Sequence, residues 1–258
     1  MSVPARAAPA AFHDHRAPPS SSSSSSSSPF PRLAHPLHEE LVELEDESRQ
    51  RFKIFAVKQA SELRRASALL QRRYAWRGYS VAPLEARTRR SITLTASSGG
   101  TTVATITAAL DSAEGLFVEA LYPDCVAELR QPGRKLCEFT KFAVDESVRS
   151  QALLGAVFHV ACMYVLDVHR CTDALIEVNP RHVRFYEQML GFTCAANERL
   201  DPSVNAAAVL MRLDLGYCAG EIGRLAGAGR AGRRERSFYP HFFSRDVADE
   251  VVSRLRTH

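Results

Sequence analysis

None of the six cysteines in this 258-residue chain (Cys125, Cys137, Cys162, Cys171, Cys194 and Cys218) belongs to a CxxC pair, and most lie in apolar stretches. That excludes a zinc-ribbon or thioredoxin-like arrangement and makes the cysteines read as reduced, buried thiols. No metal-ligand cluster, Ser-His-Asp spacing or nucleotide phosphate loop stands out. The N-terminus lacks the apolar core of a secretory signal. No window approaches the ~18 uninterrupted apolar residues of a membrane span. The expected compartment is therefore the cytoplasm. Net charge is only +4, without the dense basic runs, RNA-recognition aromatics or zinc-finger spacing of a nucleic-acid protein. A mildly basic surface still suits an acidic partner.

What is present is a core: 45% of residues are hydrophobic and 24% charged, as in an ordinary globular domain. Residues 1–36 are rich in Pro, Ala and Ser, with an unbroken serine run from Ser20 to Ser28, and are expected to be disordered because they can bury little. An acidic lead-in at 36–50 reads as a short helix. Order is expected from "RFKIFAV" (51–57), where Phe52, Ile54 and Ala56 alternate with polar positions as in a strand. Ser61 then reads as an N-cap for a helix carrying Leu63, Ala66, Leu70 and Tyr74 on one face. "SITLTAS" and "TTVATITAAL" flank an SGG turn as a hairpin. A crossing segment ended by Pro132-Gly133 follows, then a strand (134–145), a long apolar helix (150–170), a strand (173–180), a helix closed by Gly191 and a last strand (206–215).

This order is an α+β pattern around one mixed central β-sheet flanked by helices. It divides the chain into a tail (1–36), a domain (37–215) and a Gly/Arg-rich linker with a terminal helix (216–258). In the last segment Phe238, Tyr239, Phe242 and Phe243 form an aromatic group expected to pack back on the core.

The stretch "CEFTKFAVDE" (137–146) breaks the pattern, because Glu138 and Lys141 interrupt an otherwise buried strand. A charge is costly to bury unless it is paired or employed. "EVNPRHVRFYEQMLGF" (177–192) resembles the closing strand–helix unit of the GNAT acyltransferase superfamily, in which Asn, Tyr and a terminal Gly-Phe recur; Tyr186 and Gly191-Phe192 fit it. The "NPRH…FY…LGF" version, preceded by "EFTKFAVD", more narrowly resembles long-chain N-acyl amino acid synthases, relatives of the acyl-homoserine-lactone synthases. The resemblance spans roughly residues 51–215.

That resemblance implies a GNAT-like fold and transfer of a long acyl chain from an acyl carrier protein thioester to the α-amine of an amino acid. GNAT enzymes using acetyl-CoA commonly carry a Q/RxxGxG/A loop whose amides hold the pyrophosphate. Here "VRSQALLGA" (148–156) puts Ser150 and Ala152 in the glycine places. The loss favours a carrier-bound phosphopantetheine donor, with acyl-CoA as the alternative and no tightly bound cofactor expected. An acetyl-CoA-dependent N-acetyltransferase and a non-catalytic module binding acyl carrier protein are the competing readings.

Within the resemblance Glu138 is the candidate general base, acting directly or through water, against a plain solvent-facing strand Glu. The oxyanion donor is a main-chain N–H around Phe142–Val144. Strand alternation turns Lys141 away from Glu138 unless a bulge intervenes; it binds the acceptor carboxylate or is simply solvated. Arg149 contacts the pantetheine phosphate or merely opens the helix. Asn179 holds the pantetheine amides or initiates an Asn-Pro turn. Tyr186 protonates the leaving thiolate or belongs to the core. Arg181 and His182 flank the same place, and Trp76 lines the acyl pocket or is a core residue.

Overall fold

The structure, a computed structural model, describes residues 40–75, 84, 90–202, 205–232 and 234–257. The Pro/Ala/Ser-rich tail and Trp76 lie outside the described residues.

Strands β1 (Glu40–Glu45), β2 (Arg51–Ala56), β3 (Ser91–Ser98), β4 (Thr101–Leu110) and β5 (Leu136–Val144) run antiparallel, each beside the next. Strand β6 (Asp173–Val178) pairs parallel to β5, and β9 (Ala206–Asp214) lies antiparallel on β6. The short β7 (Thr193–Cys194) and β8 (Arg199–Asp201) both pair with β9. The helices are α1 (Ala60–Ala75), α2 (Pro123–Leu129), α3 (Gln151–Cys162), α4 (Val183–Leu190), α5 (Leu215–Leu225) and α6 (Arg245–Arg256). This is the mixed sheet with flanking helices that the element order implies.

Alternation builds β2, with Phe52, Ile54 and Ala56 buried and Arg51 and Lys53 exposed. The acidic lead-in is a strand, not a helix. Leu41 and Val42 of β1 enter the core, and Lys53 on β2 bridges Glu40 (2.8 Å) and Glu43 (3.3 Å) across the pair. Helix α1 is opened by Glu62 and not by Ser61: the Glu62 carboxylate accepts the N–H groups of Lys58 (3.1 Å) and Gln59 (3.2 Å). One longer side chain, reaching back, satisfies both donors.

One face of the sheet is covered by α1, packed on Ala143, and by the segment from Leu116 to α2, packed on Leu136, Leu175 and Leu210. The other is covered by α3 and the elements after it. Helix α3 continues into a π-helical turn, Met163–Val168. The whole run Gln151–Val168 is long and apolar enough to cross a membrane, yet two thirds of it is buried here, as a core helix would be.

The linker expected from residue 216 begins as helix α5, because Asp214 caps it, accepting from Gly216 N–H (2.8 Å) and Tyr217 N–H (3.1 Å). The aromatic group beyond is fixed to the domain. Phe238 N–H donates to Met189 O (2.9 Å), Tyr239 Oη to Leu190 O (2.7 Å) and Phe243 N–H to His159 Nδ1 (2.9 Å). Helix α4 ends at Gly191, left-handed at φ +81°, where an added Cβ would lie 2.3 Å from Tyr217 Cε1. Gly191→Ala is expected to cost about 1–2 kcal/mol from the backbone alone. Urea denaturation measures it, and an unchanged midpoint would refute the assignment.

Candidate active site

Strands β5 and β6 are paired over only three residues, Leu136 with Asp173, Cys137 with Ala174 and Glu138 with Leu175. Beyond Glu138 they part, and a gap opens beside the second half of β5. In the same half, β5 bulges. Thr140 lies opposite Thr107 and Ala143 opposite Thr105, so β5 carries one residue more than β4 between these pairs. Lys141 absorbs the distortion with φ +55°. The bulge anticipated as a condition for Lys141 is therefore present, and the ammonium stands over the Phe117 ring, 5.2 Å from its centroid.

The bulge also sets the amides. Asp145 N–H donates to Val103 O (2.8 Å). Alternation along the ladder then turns the amide of Ala143 toward β4, and those of Phe142 and Val144 toward the gap. The Phe142 carbonyl accepts the Tyr74 hydroxyl (3.1 Å), and the Phe142 ring packs on Phe158 of α3 at 4.8 Å.

Glu138 is fully buried on the α2-covered face. Its Oε1 accepts Phe117 N–H (3.0 Å) and its Oε2 accepts Val118 N–H (3.1 Å), both from the 3-10 turn Phe117–Ala120. Burial raises its pKa, while the two N–H groups and Lys141 act against the rise. A second clamp holds the same turn: Glu119 accepts Leu116 N–H (2.6 Å), and Arg130 bridges Glu119 and Asp111. Phe117 itself is 65% exposed beside the gap.

Glu177 escapes a sequence reading, its one signal being a charge that follows the apolar run Ala174–Ile176 in "DALIEV". Two residues beyond Leu175, the partner of Glu138, it returns to the face that Glu138 occupies. Its side chain reaches solvent. Crowding by protein, then Asp201 and Glu138, push its pKa up to about 7.

Tyr186 is half-buried on α4, edge-on to Phe158 (6.4 Å between centroids) and Phe192 (5.9 Å). Burial and then Tyr74 raise its pKa. Tyr74 is thus placed with Tyr186 and the bulge, a grouping that its helical spacing did not disclose. Asn179 has both amide ends engaged, Nδ2 donating to Ala207 O (3.2 Å) and Oδ1 accepting Arg181 N–H (3.3 Å). Arg149 is exposed just ahead of Ser150, whose hydroxyl caps α3 by accepting Leu153 N–H (3.2 Å). Arg181 is exposed beside His182. Among the described residues no group of three His, Cys, Asp or Glu could hold a metal ion.

A central strand bulged beside a parallel neighbour that splays from it defines the GNAT-like acyltransferase fold. The model of the N-acyl amino acid synthase FeeM family matches residues 65–214, more than half of the chain, and the protein belongs to that family of acyltransferases. The solved structure of FeeM, an N-acyl amino acid synthase from uncultured soil microbes, superposes with a TM-score of 0.60 at 26% identity, covering 66% of this chain and 94% of FeeM. The acyl-homoserine-lactone synthase LasI shares the fold, with a TM-score of 0.50 at 11% identity, covering 64% of this chain and 91% of LasI. No curated protein matches the chain.

Proposed function

We propose that the protein moves a long acyl chain from the phosphopantetheine thioester of acyl carrier protein to the α-amine of an amino acid, in the cytoplasm. The observation that carries this reading is the gap between β5 and β6, into which the Phe142 and Val144 amides are turned. A thioester threaded there meets donors for its developing oxyanion. The amine attacks the carbonyl carbon, the N–C bond forms and the C–S bond breaks. One amine proton is taken up on the enzyme or by water, and the thiolate leaves protonated, with Tyr186 as the proposed donor. Direct attack needs no covalent enzyme intermediate.

The carrier-bound donor is favoured by the start of α3. Ser150 stands in a glycine place, and its hydroxyl already occupies the Leu153 N–H that a diphosphate would use. A single phosphate asks for fewer donors, and Arg149 next to the cap supplies a charge for it. Lys141, at the bulge and over the Phe117 ring, is the proposed partner of the amino-acid carboxylate. Asn179, with both amide ends occupied, supports the pantetheine path by shaping the Pro180–His182 turn, with Arg181 alongside. Glu138, closed off behind the Phe117–Ala120 turn, fixes that turn and the local field, reaching the amine only through water.

The test is purified protein with a long-chain acyl carrier protein, or the matching acyl-CoA, and pooled amino acids, with products read by mass spectrometry. An N-acyl amino acid formed faster from the carrier-bound donor supports the reading. Carrier binding without product points to a non-catalytic module. Product from acetyl-CoA alone would replace the reading with an N-acetyltransferase.

A further inference from the structure

We propose that Glu177 is the catalytic base of this site, binding the acceptor's ammonium and taking its proton, while Glu138 is a positioning residue. The inference rests on the acyltransfer reading above and names a residue that the reading leaves open.

Three observations lead to it. Each Glu138 oxygen already accepts a backbone N–H, and the residue has no surface, so an incoming amine cannot touch it without displacing the Phe117–Ala120 turn. Glu177 lies on the same face of the adjacent strand, and while Asp173, Ala174, Leu175 and Ile176 before it are buried, it is exposed beyond the point where β5 and β6 part. Its electrostatic neighbours are Glu138 from β5, Asp201 from β8 and Tyr122 ahead of α2, without a basic group among them. The nearby cations are committed: Arg199 stacks on the Tyr122 ring (4.7 Å) and pairs with Asp124 (2.7 Å), and Lys141 stands over Phe117. Among the described residues no Lys, Arg or His pairs with Glu177. An exposed carboxylate whose field is set by two other carboxylates attracts a cation, and the acceptor arrives as one.

The protons then balance. The ammonium gives one proton to Glu177 and becomes the nucleophile. The attacking nitrogen loses a second as the tetrahedral intermediate collapses, and the departing sulfur gains one. Glu177 returns its proton to solvent. A pKa raised to about 7 suits this cycle.

The experiment compares wild type, Glu177→Gln and Glu138→Gln in the carrier-protein assay from pH 5.5 to 9, with thermal unfolding of each across the same range. For wild type, kcat/KM rises through about pH 7 to a plateau. Glu177→Gln removes that limb and lowers the plateau about 10²- to 10³-fold. Glu138→Gln lowers the rate but keeps the inflection. Unfolding supplies a second readout. Glu177 binds more protons folded than unfolded between its ordinary range and about 7, so wild type loses stability as pH rises through that window. Glu177→Gln lacks this loss and melts higher than wild type at pH 8. Wild-type product with an unchanged Glu177→Gln profile would overturn this assignment alone. No product from wild type with any thioester would overturn the acyltransfer reading beneath it.

Discussion

Glu138→Ala is expected to lose about 3 kcal/mol of stability and at least 100-fold in turnover. The N–H groups of Phe117 and Val118 both end on this carboxylate, and removing it leaves two donors, one of them deeply buried, with nothing to accept them. Each such orphan costs about 1–3 kcal/mol. The loss in rate follows from geometry, since the released turn carries Phe117 and, on its ring, the Lys141 ammonium; a misplacement of about 1 Å in a positioning group can cost ~10²-fold. Glu138→Gln keeps the volume and one accepting oxygen, so about half the stability loss is expected. The second clamp of Glu119 and Arg130 limits the damage to this turn. Urea denaturation and product assays on the two variants measure both effects. Wild-type stability in Glu138→Ala would show that the two hydrogen bonds contribute nothing.

Asp173→Ala is the other large effect, about 3 kcal/mol lost with turnover reduced. Asp173 begins β6 and is fully buried. Its Oδ1 accepts Arg134 Nη2 (2.7 Å) and Arg212 Nε (2.5 Å), and its Oδ2 accepts the Thr172 hydroxyl (2.6 Å). Breaking a buried ion pair costs about 3–5 kcal/mol because a charge is stranded. Both arginines are partly exposed and can turn to water, which places the estimate at the lower end. The residue matters beyond its own energy, since it ties the segment before β5, the start of β6 and β9 at the closed end of the splay. Denaturation midpoints of Asp173→Ala and Asp173→Asn should both fall. A shift below about 0.5 kcal/mol in the alanine variant would show that the triad is only a surface arrangement.

Much of this was legible in the sequence. The alternation of β2, the SGG hairpin, the long apolar helix and the stop at Gly191 are local patterns, and local patterns are what periodicity records. The family was legible through "EFTKFAV" and "NPRH…FY…LGF". Features that depend on a distant partner were not. "ELVELE" reads as a polar lead-in until Lys53 on β2 stands opposite its glutamates. "LGYCAGEIGRL" looks like a linker because of its glycines, although Asp214 caps it into a helix. Within the site, Glu138 stood out while Glu177 did not. Each is a carboxylate in a largely apolar strand, and only the register between β5 and β6 puts them on one face. Tyr74 was visible as a helix-face residue, and its contact with Phe142 spans 68 positions of chain.

The extra residue in β5 has a genetic consequence. With the bulge, Thr140 and Ala143 share a face although they are three apart, so the strand's second half runs out of phase with its first. An in-frame loss of one codon anywhere from 140 to 142 would remove Thr140, Lys141 or Phe142 and leave β5 and β4 with equal residue counts, so the strand would still pair as an ordinary one. It would nonetheless either drag the register of everything downstream or straighten the strand and close the gap. This short stretch is therefore far more tolerant of substitution than of a change in length.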